Sequence, residues 1–68
     1  MVDANKLRGC IVANGKTQEE VARSIGITPK TFSMKMKKRV FGSDEIEKMI
    51  DLLGITDPMS IFFAKDVT

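Results

Sequence analysis

Residues 16–39, KTQEEVARSIGITPKTFSMKMKKR, decide how the rest of the chain is read. Thr17 followed by Glu20 is a capping-box signature, in which the hydroxyl takes the amide three residues on and the carboxylate reaches back to the cap's own N–H. A helix therefore starts at Gln18. Val21, Ala22 and Ile25 share its buried face, and Gly26 supplies the left-handed position that ends it after two turns. Thr28 caps a following helix and Pro29 stands at its first position, where a missing N–H costs nothing. Phe32 and Met36, four residues apart, form the inner edge of that helix and leave Pro29, Lys30, Ser33, Met34 and Lys37 pointing outward.

Working outward, Asp3 caps a first helix to about Asn14, with Leu7, Cys10 and Ile11 as its buried stripe and Gly15 as its stop. Gly9 in its middle either admits a close neighbour or weakens the helix by about 1 kcal/mol relative to Ala. Residues 38–42 read as a loop, with Val40 or Phe41 folding back as an apolar plug. Ser43 is the expected cap of a fourth helix, in which Ile46, Met49, Ile50 and Leu53 recur at helical spacing. Asp44, Glu45 and Glu47 lie near its start, where the helix dipole favours acids. Gly54 closes it, Ile55 returns to the core, and Asp57 with Pro58 starts a short fifth helix through Met59, Phe62 and Phe63. No alternation suggests a strand, and no repeat or linker interrupts the chain. The expectation is one compact all-α, five-helix domain over residues 1–68.

Sixty-eight residues leave room for one small core and no second domain. Cys10 has no second cysteine to pair with and no His to join in a metal site, so it reads as a small buried hydrophobe. Without His, a plausible acid pair or a Gly-rich phosphate loop, the chain lacks the parts for acid–base, nucleophilic or metal chemistry. No enzyme activity, metal or cofactor is expected. No apolar run reaches the ~20 residues of a membrane span, and residues 1–5 lack a signal-peptide start, which points to the cytoplasm.

The net charge of +2 conceals a polarity: residues 1–15 carry +1, residues 16–39 carry +5 and residues 40–68 carry −4. Cations gathered in one supersecondary unit, with acids in the next, present a directional field suited to a polyanion. The unit itself has the geometry for one. Two helices crossing steeply over a short turn need a small residue at the contact and a residue tolerant of positive φ in the turn. Ala22 and Gly26 meet those needs four residues apart, with Val21, Ile25, Ile27 and Phe32 packed around the corner. This is a helix-turn-helix pattern, whose second helix can enter a DNA major groove.

The run TQEEVARSIGITPKTF, continued by EIEKMIDLLGI and PMSIFF, resembles the small five-helix DNA-binding domains of the lambda-repressor and Cro class. It is most similar to short phage regulators of that class, and the likeness extends from the first helix to Phe63. It departs from the class at Lys35, where many members carry an aliphatic residue, so that Met36 is expected to take over the packing. The resemblance implies that Gln18 contacts a phosphate and braces the recognition helix. It also implies that Thr28, Pro29, Lys30, Thr31, Ser33 and Met34 meet base edges and flanking phosphates. Chemically, Lys30 suits guanine O6 or N7, Thr28 and Ser33 can donate or accept, and Pro29 and Met34 can lie against thymine methyls. Lys16, Lys37, Lys38 and Arg39 suit phosphate contacts, since flexible cations at a helix exit supply mainly charge.

The function so implied is sequence-specific binding of double-stranded DNA by a transcriptional regulator. One domain reads only a few base pairs, so the resemblance also implies paired copies on repeated half-sites, formed beforehand or only on DNA. Met59, Ile61 and Phe62 are the expected dimer contacts, because one face of the last helix cannot bury them together with Phe63. The competing possibility is a small helical protein-interaction module, of antitoxin or antirepressor-binding type, that uses the same fold as scaffold. A protein-binding helix would favour exposed apolar anchors over successive cations.

Overall fold

Four of the five helices begin where the local sequence supplies a side-chain cap. In the computed structural model, which describes residues 1–64, the order is α1 (Ala4–Ala13), α2 (Gln18–Ser24), α3 (Pro29–Lys38), α4 (Ser43–Leu53) and α5 (Pro58–Phe62). No strand occurs among the described residues. Asp3 accepts from the N–H of Lys6, and Thr28 from that of Thr31. Thr17 and Glu20 close both halves of the capping box at 3.1 and 2.9 Å. Asp57 caps α5 through the N–H of Ser60.

The expected cap of α4 is displaced by one residue. Gly42, extended at φ −70°, is the cap and Ser43 is the first helical residue. Glycine has no side chain to bond the helix, so only half of a capping box exists here: Glu45 Oε1 accepts from the Gly42 N–H at 2.8 Å.

The helix ends share one device. In α1 to α4 the chain turns through a residue with positive φ, and the next N–H reaches back five residues to a helical carbonyl: Lys16 to Ile11, Ile27 to Ala22, Val40 to Lys35 and Ile55 to Ile50. Three of the turning residues are Gly15, Gly26 and Gly54; the fourth is Arg39, at φ 58°. A non-glycine residue in this region costs about 1–2 kcal/mol.

Around the α2 segment the other elements close. α2 packs against α1, α3 and α4, and α5 packs against α1. Val21, Ala22, Ile25, Phe32 and Met36 are buried with Leu7, Ile11, Met49 and Leu53, so the inner faces expected around the Gly26 corner are the inner faces observed. Of the two candidates for the apolar plug, Phe41 is buried and meets Phe32 at a ring-centroid distance of 5.3 Å, whereas Val40 is exposed. Cys10 is only half-buried, at the edge of the core. A methyl group at Gly9 would meet nothing within 4 Å, so no neighbouring helix explains that glycine.

Two ties join distant parts of the chain. Val2 is buried, and residues 2 and 3 run between the end of α3 and α5: the Val2 N–H bonds Arg39 O at 3.0 Å and the Asp3 N–H bonds Ile61 O at 2.6 Å. Asn14 Nδ2 donates to both Cys10 O and Leu53 O, which joins the ends of α1 and α4. The result measures 31 × 23 × 20 Å. No helix among the described residues is long and apolar enough to cross a membrane.

The expected pairing surface on α5 needs correction. Ile61 and Phe62 are 6% and 2% exposed and belong to the chain's own core, held inward by the contact of α5 with α1. Met59 and Phe63 are the exposed apolar residues of this end.

Candidate nucleic-acid interface

Burying Phe32 and Met36 fixes the rotation of α3 about its axis and thereby chooses its outer face. Pro29, Lys30, Ser33, Met34, Lys37 and Lys38 are exposed, and Thr31 is half-buried at the flank. Lys30, Met34 and Lys37 or Lys38 follow one another at helical spacing, so a single thioether lies between cations along the outer stripe. Met34 keeps 48% of its surface exposed, more than a residue filling the core would.

The start of α3 is less free than the sequence suggests. Thr28 Oγ1 accepts from the Thr31 N–H at 3.1 Å and donates to Thr31 Oγ1 at 2.9 Å. The two hydroxyls share one hydrogen bond, so one of their two protons is committed between them and the other stays free to donate outward. Ser33 forms no side-chain hydrogen bond among the described residues.

Charge pairing separates the seven cations of residues 16–39 into two groups. Arg23 bonds Glu19 at 2.7 Å on the exposed surface of α2, and Lys35 bonds Glu45 at 2.5 Å across the junction of α3 and α4. Lys16, Lys30, Lys37, Lys38 and Arg39 have no carboxylate partner among the described residues. Thus Lys35 is a bridge to α4, while Met36 does the packing.

Glu45 is the residue whose part the sequence concealed. Burial opposes its ionisation, but hydrogen bonds from Lys35 and the Gly42 N–H, with the attraction of Lys35 and Lys48, hold its carboxyl below the ordinary value of 4.5. Its position in the first turn of α4 has a sufficient local explanation in the helix dipole, so nothing in the sequence pairs it with a lysine ten residues earlier.

The remaining site residues lie on other elements. Lys16 and Gln18 stand half-buried on either side of the cap of α2. Arg39 is exposed at the exit of α3, its carbonyl pinned by Val2. The acids Asp44, Glu47 and Asp51 are exposed along α4. No group of His, Cys, Asp and Glu among the described residues could hold a metal ion. Comparison of the chain with family models, with curated proteins and with solved structures finds no match.

Proposed function

We propose that this chain is a sequence-specific double-stranded DNA-binding transcriptional regulator of the Cro-like or repressor-like kind known from phages and prophages. In this proposal α2 and α3 act as a helix-turn-helix and α3 enters the major groove. The observation that carries it is the separation of charges within residues 16–39. The two cations that find carboxylates lie off the outer stripe of α3, and the five that do not, among the described residues, are Lys16, Lys30, Lys37, Lys38 and Arg39.

The roles follow from chemistry and from mobility. Lys30, near the start of a helix entering the groove, reaches base edges and donates to guanine O6 or N7, with Thr31 and Ser33 beside it. Pro29 and Met34 provide apolar surface for thymine methyls, and Thr28 can donate or accept. Lys37, Lys38 and Arg39 at the exit, with Lys16 and Gln18 at the start of α2, meet phosphates, which fix orientation without reading sequence. A second copy on an adjacent half-site would have to use Met59 and Phe63, the apolar residues of α5 that the core leaves exposed.

The same exposed pair favours the rival protein-interaction module, so the deciding test is on DNA. Fluorescence anisotropy against a random duplex at 50 and 200 mM salt (roughly the range over which phosphate contacts are read) should show a steep loss of affinity, ~10²-fold or more for four phosphate contacts. Binding that is absent, or indifferent to salt, refutes the proposal.

A further inference from the structure

Lys35 belongs to the most basic run of the chain, with Lys37, Lys38 and Arg39 following it, yet among the described residues it is the one member of that run held by an acid. The holding is of a different kind from the surface pair on α2. Arg23 and Glu19 keep 71% and 55% of their side-chain exposure, whereas Lys35 and Glu45 keep 33% and 14%. Both oxygens of Glu45 are engaged: Oε2 with Lys35 Nζ at 2.5 Å, and Oε1 with the Gly42 N–H at 2.8 Å. The second bond anchors the carboxylate to the start of α4, so Lys35 is drawn toward α4 and away from the cations next to it. An exposed pair with one anchor would exchange readily with solvent and with phosphate; a half-desolvated pair anchored at both oxygens exchanges less.

Withholding one cation matters because phosphate contacts act on all sequences alike. Each contact strengthens binding to every duplex and adds nothing to the choice among them. We propose that Glu45 sets the strength of the phosphate grip: it sequesters Lys35 from the phosphate backbone and so limits sequence-independent binding by the α3 exit. The inference rests on the DNA-binding reading above and assigns a role in it to an acid that touches no DNA.

The test compares the unaltered chain with Glu45→Gln, with Lys35→Met/Glu45→Gln and with Glu47→Gln, by anisotropy against the same random duplex across a salt series. Circular dichroism establishes that each is folded. The double variant replaces the ion pair with neutral side chains of similar length, a change that small domains commonly tolerate. Freeing Lys35 adds one phosphate contact, so Glu45→Gln should steepen the salt slope by about 0.9, or about 3.5-fold more loss of affinity between 50 and 200 mM salt. The double variant, with no lysine to free, should return to the slope of the unaltered chain, and Glu47→Gln should leave it unchanged.

Equal slopes in the unaltered chain and Glu45→Gln, with salt-dependent binding in both, overturn the inference and leave the DNA reading standing. A steepening that persists in the double variant, or that Glu47→Gln reproduces, also overturns it, because the effect is then loss of any acid. Absence of salt-dependent binding by the unaltered chain overturns the DNA reading and the inference together.

Discussion

Replacing Arg39 with Gly sets two properties of that residue against each other. Arg39 occupies the left-handed region at φ 58°, in the same turn that Gly15, Gly26 and Gly54 make at the ends of α1, α2 and α4. The substitution should relieve about 1–2 kcal/mol of steric cost and give up about 0.5–1 kcal/mol of backbone entropy, leaving a net gain of about 0–1.5 kcal/mol, centred on about 0.75 kcal/mol. For a domain of this size that central value raises the melting temperature by about 3–6 °C. The bonds from the Val40 N–H to Lys35 O and from the Val2 N–H to Arg39 O are main-chain bonds, so glycine keeps both. On DNA the sign reverses. If Arg39 meets a phosphate, its loss flattens the salt slope by about 0.9 and weakens binding to all duplexes.

The assay is therefore paired: thermal melting by circular dichroism, and anisotropy across a salt series, on Arg39→Gly and Arg39→Lys. Lysine keeps both the strain and the charge, so its melting temperature and slope should match those of the unaltered chain. A lower melting temperature for Arg39→Gly would mean that the arginine side chain stabilises this turn by more than its conformation costs, and the strain argument would be refuted. A higher melting temperature with an unchanged slope would instead remove Arg39 from the phosphate contacts. Strain that persists where relief is one substitution away is a pointer to function, and the two measurements separate that from accident.

Other substitutions address separate parts of the same picture. Lys30→Ala should relax base preference at one position of a selected site, by about 1–3 kcal/mol of discrimination, whereas Lys38→Ala should weaken binding to all sequences alike. A change of preference on Lys38→Ala alone, read by competition between two duplexes, would contradict the assigned roles. Gly9→Ala, where a methyl meets open space, should raise the melting temperature through a gain of about 0.5–1 kcal/mol. The depressed Glu45 carboxyl contributes stability that is fully present above its ordinary value of 4.5 and is lost as pH falls through its lower folded value. Melting temperatures followed through that acid range should fall less steeply in Lys35→Met/Glu45→Gln than in the unaltered chain.

The helices were legible because their ends are written locally. A capping box at Thr17 and Glu20, proline at the first position of α3 and α5, and glycines after α1, α2 and α4 each act within a few residues, so spacing alone places them. The end of α3 was placed to within one residue, but its left-handed turn was not, because Arg39 does what glycine does elsewhere and the nearest glycine, Gly42, is instead the extended cap of the next helix. Burial within a helix followed the same logic, since Phe32 and Met36 settle α3 whatever surrounds it. At α5 the rule failed. Five residues are too few for periodicity to choose a face, and contact with α1 and with residues 2 and 3 decided that Ile61 and Phe62 turn inward.

The candidate site divides in the same way. The outward positions of α3 are fixed by that helix's own inner residues, so Lys30, Ser33, Met34 and Lys37 could be named from the chain alone. What a cation does once it is exposed is a question of partners distant in sequence, and there periodicity is silent. Arg23 and Glu19 lie four apart on one helix and are readable as a pair; Lys35 and Glu45 lie across a loop whose path depends on burying Phe41 against Phe32. Charge counted along residues 16–39 treats Lys35 and Lys38 alike, though one faces a carboxylate and the other faces solvent. The field that a polyanion would meet is therefore set by the packing of Phe41 as much as by the number of lysines. A core substitution at that residue should alter the salt dependence of DNA binding even though Phe41 itself is buried and carries no charge.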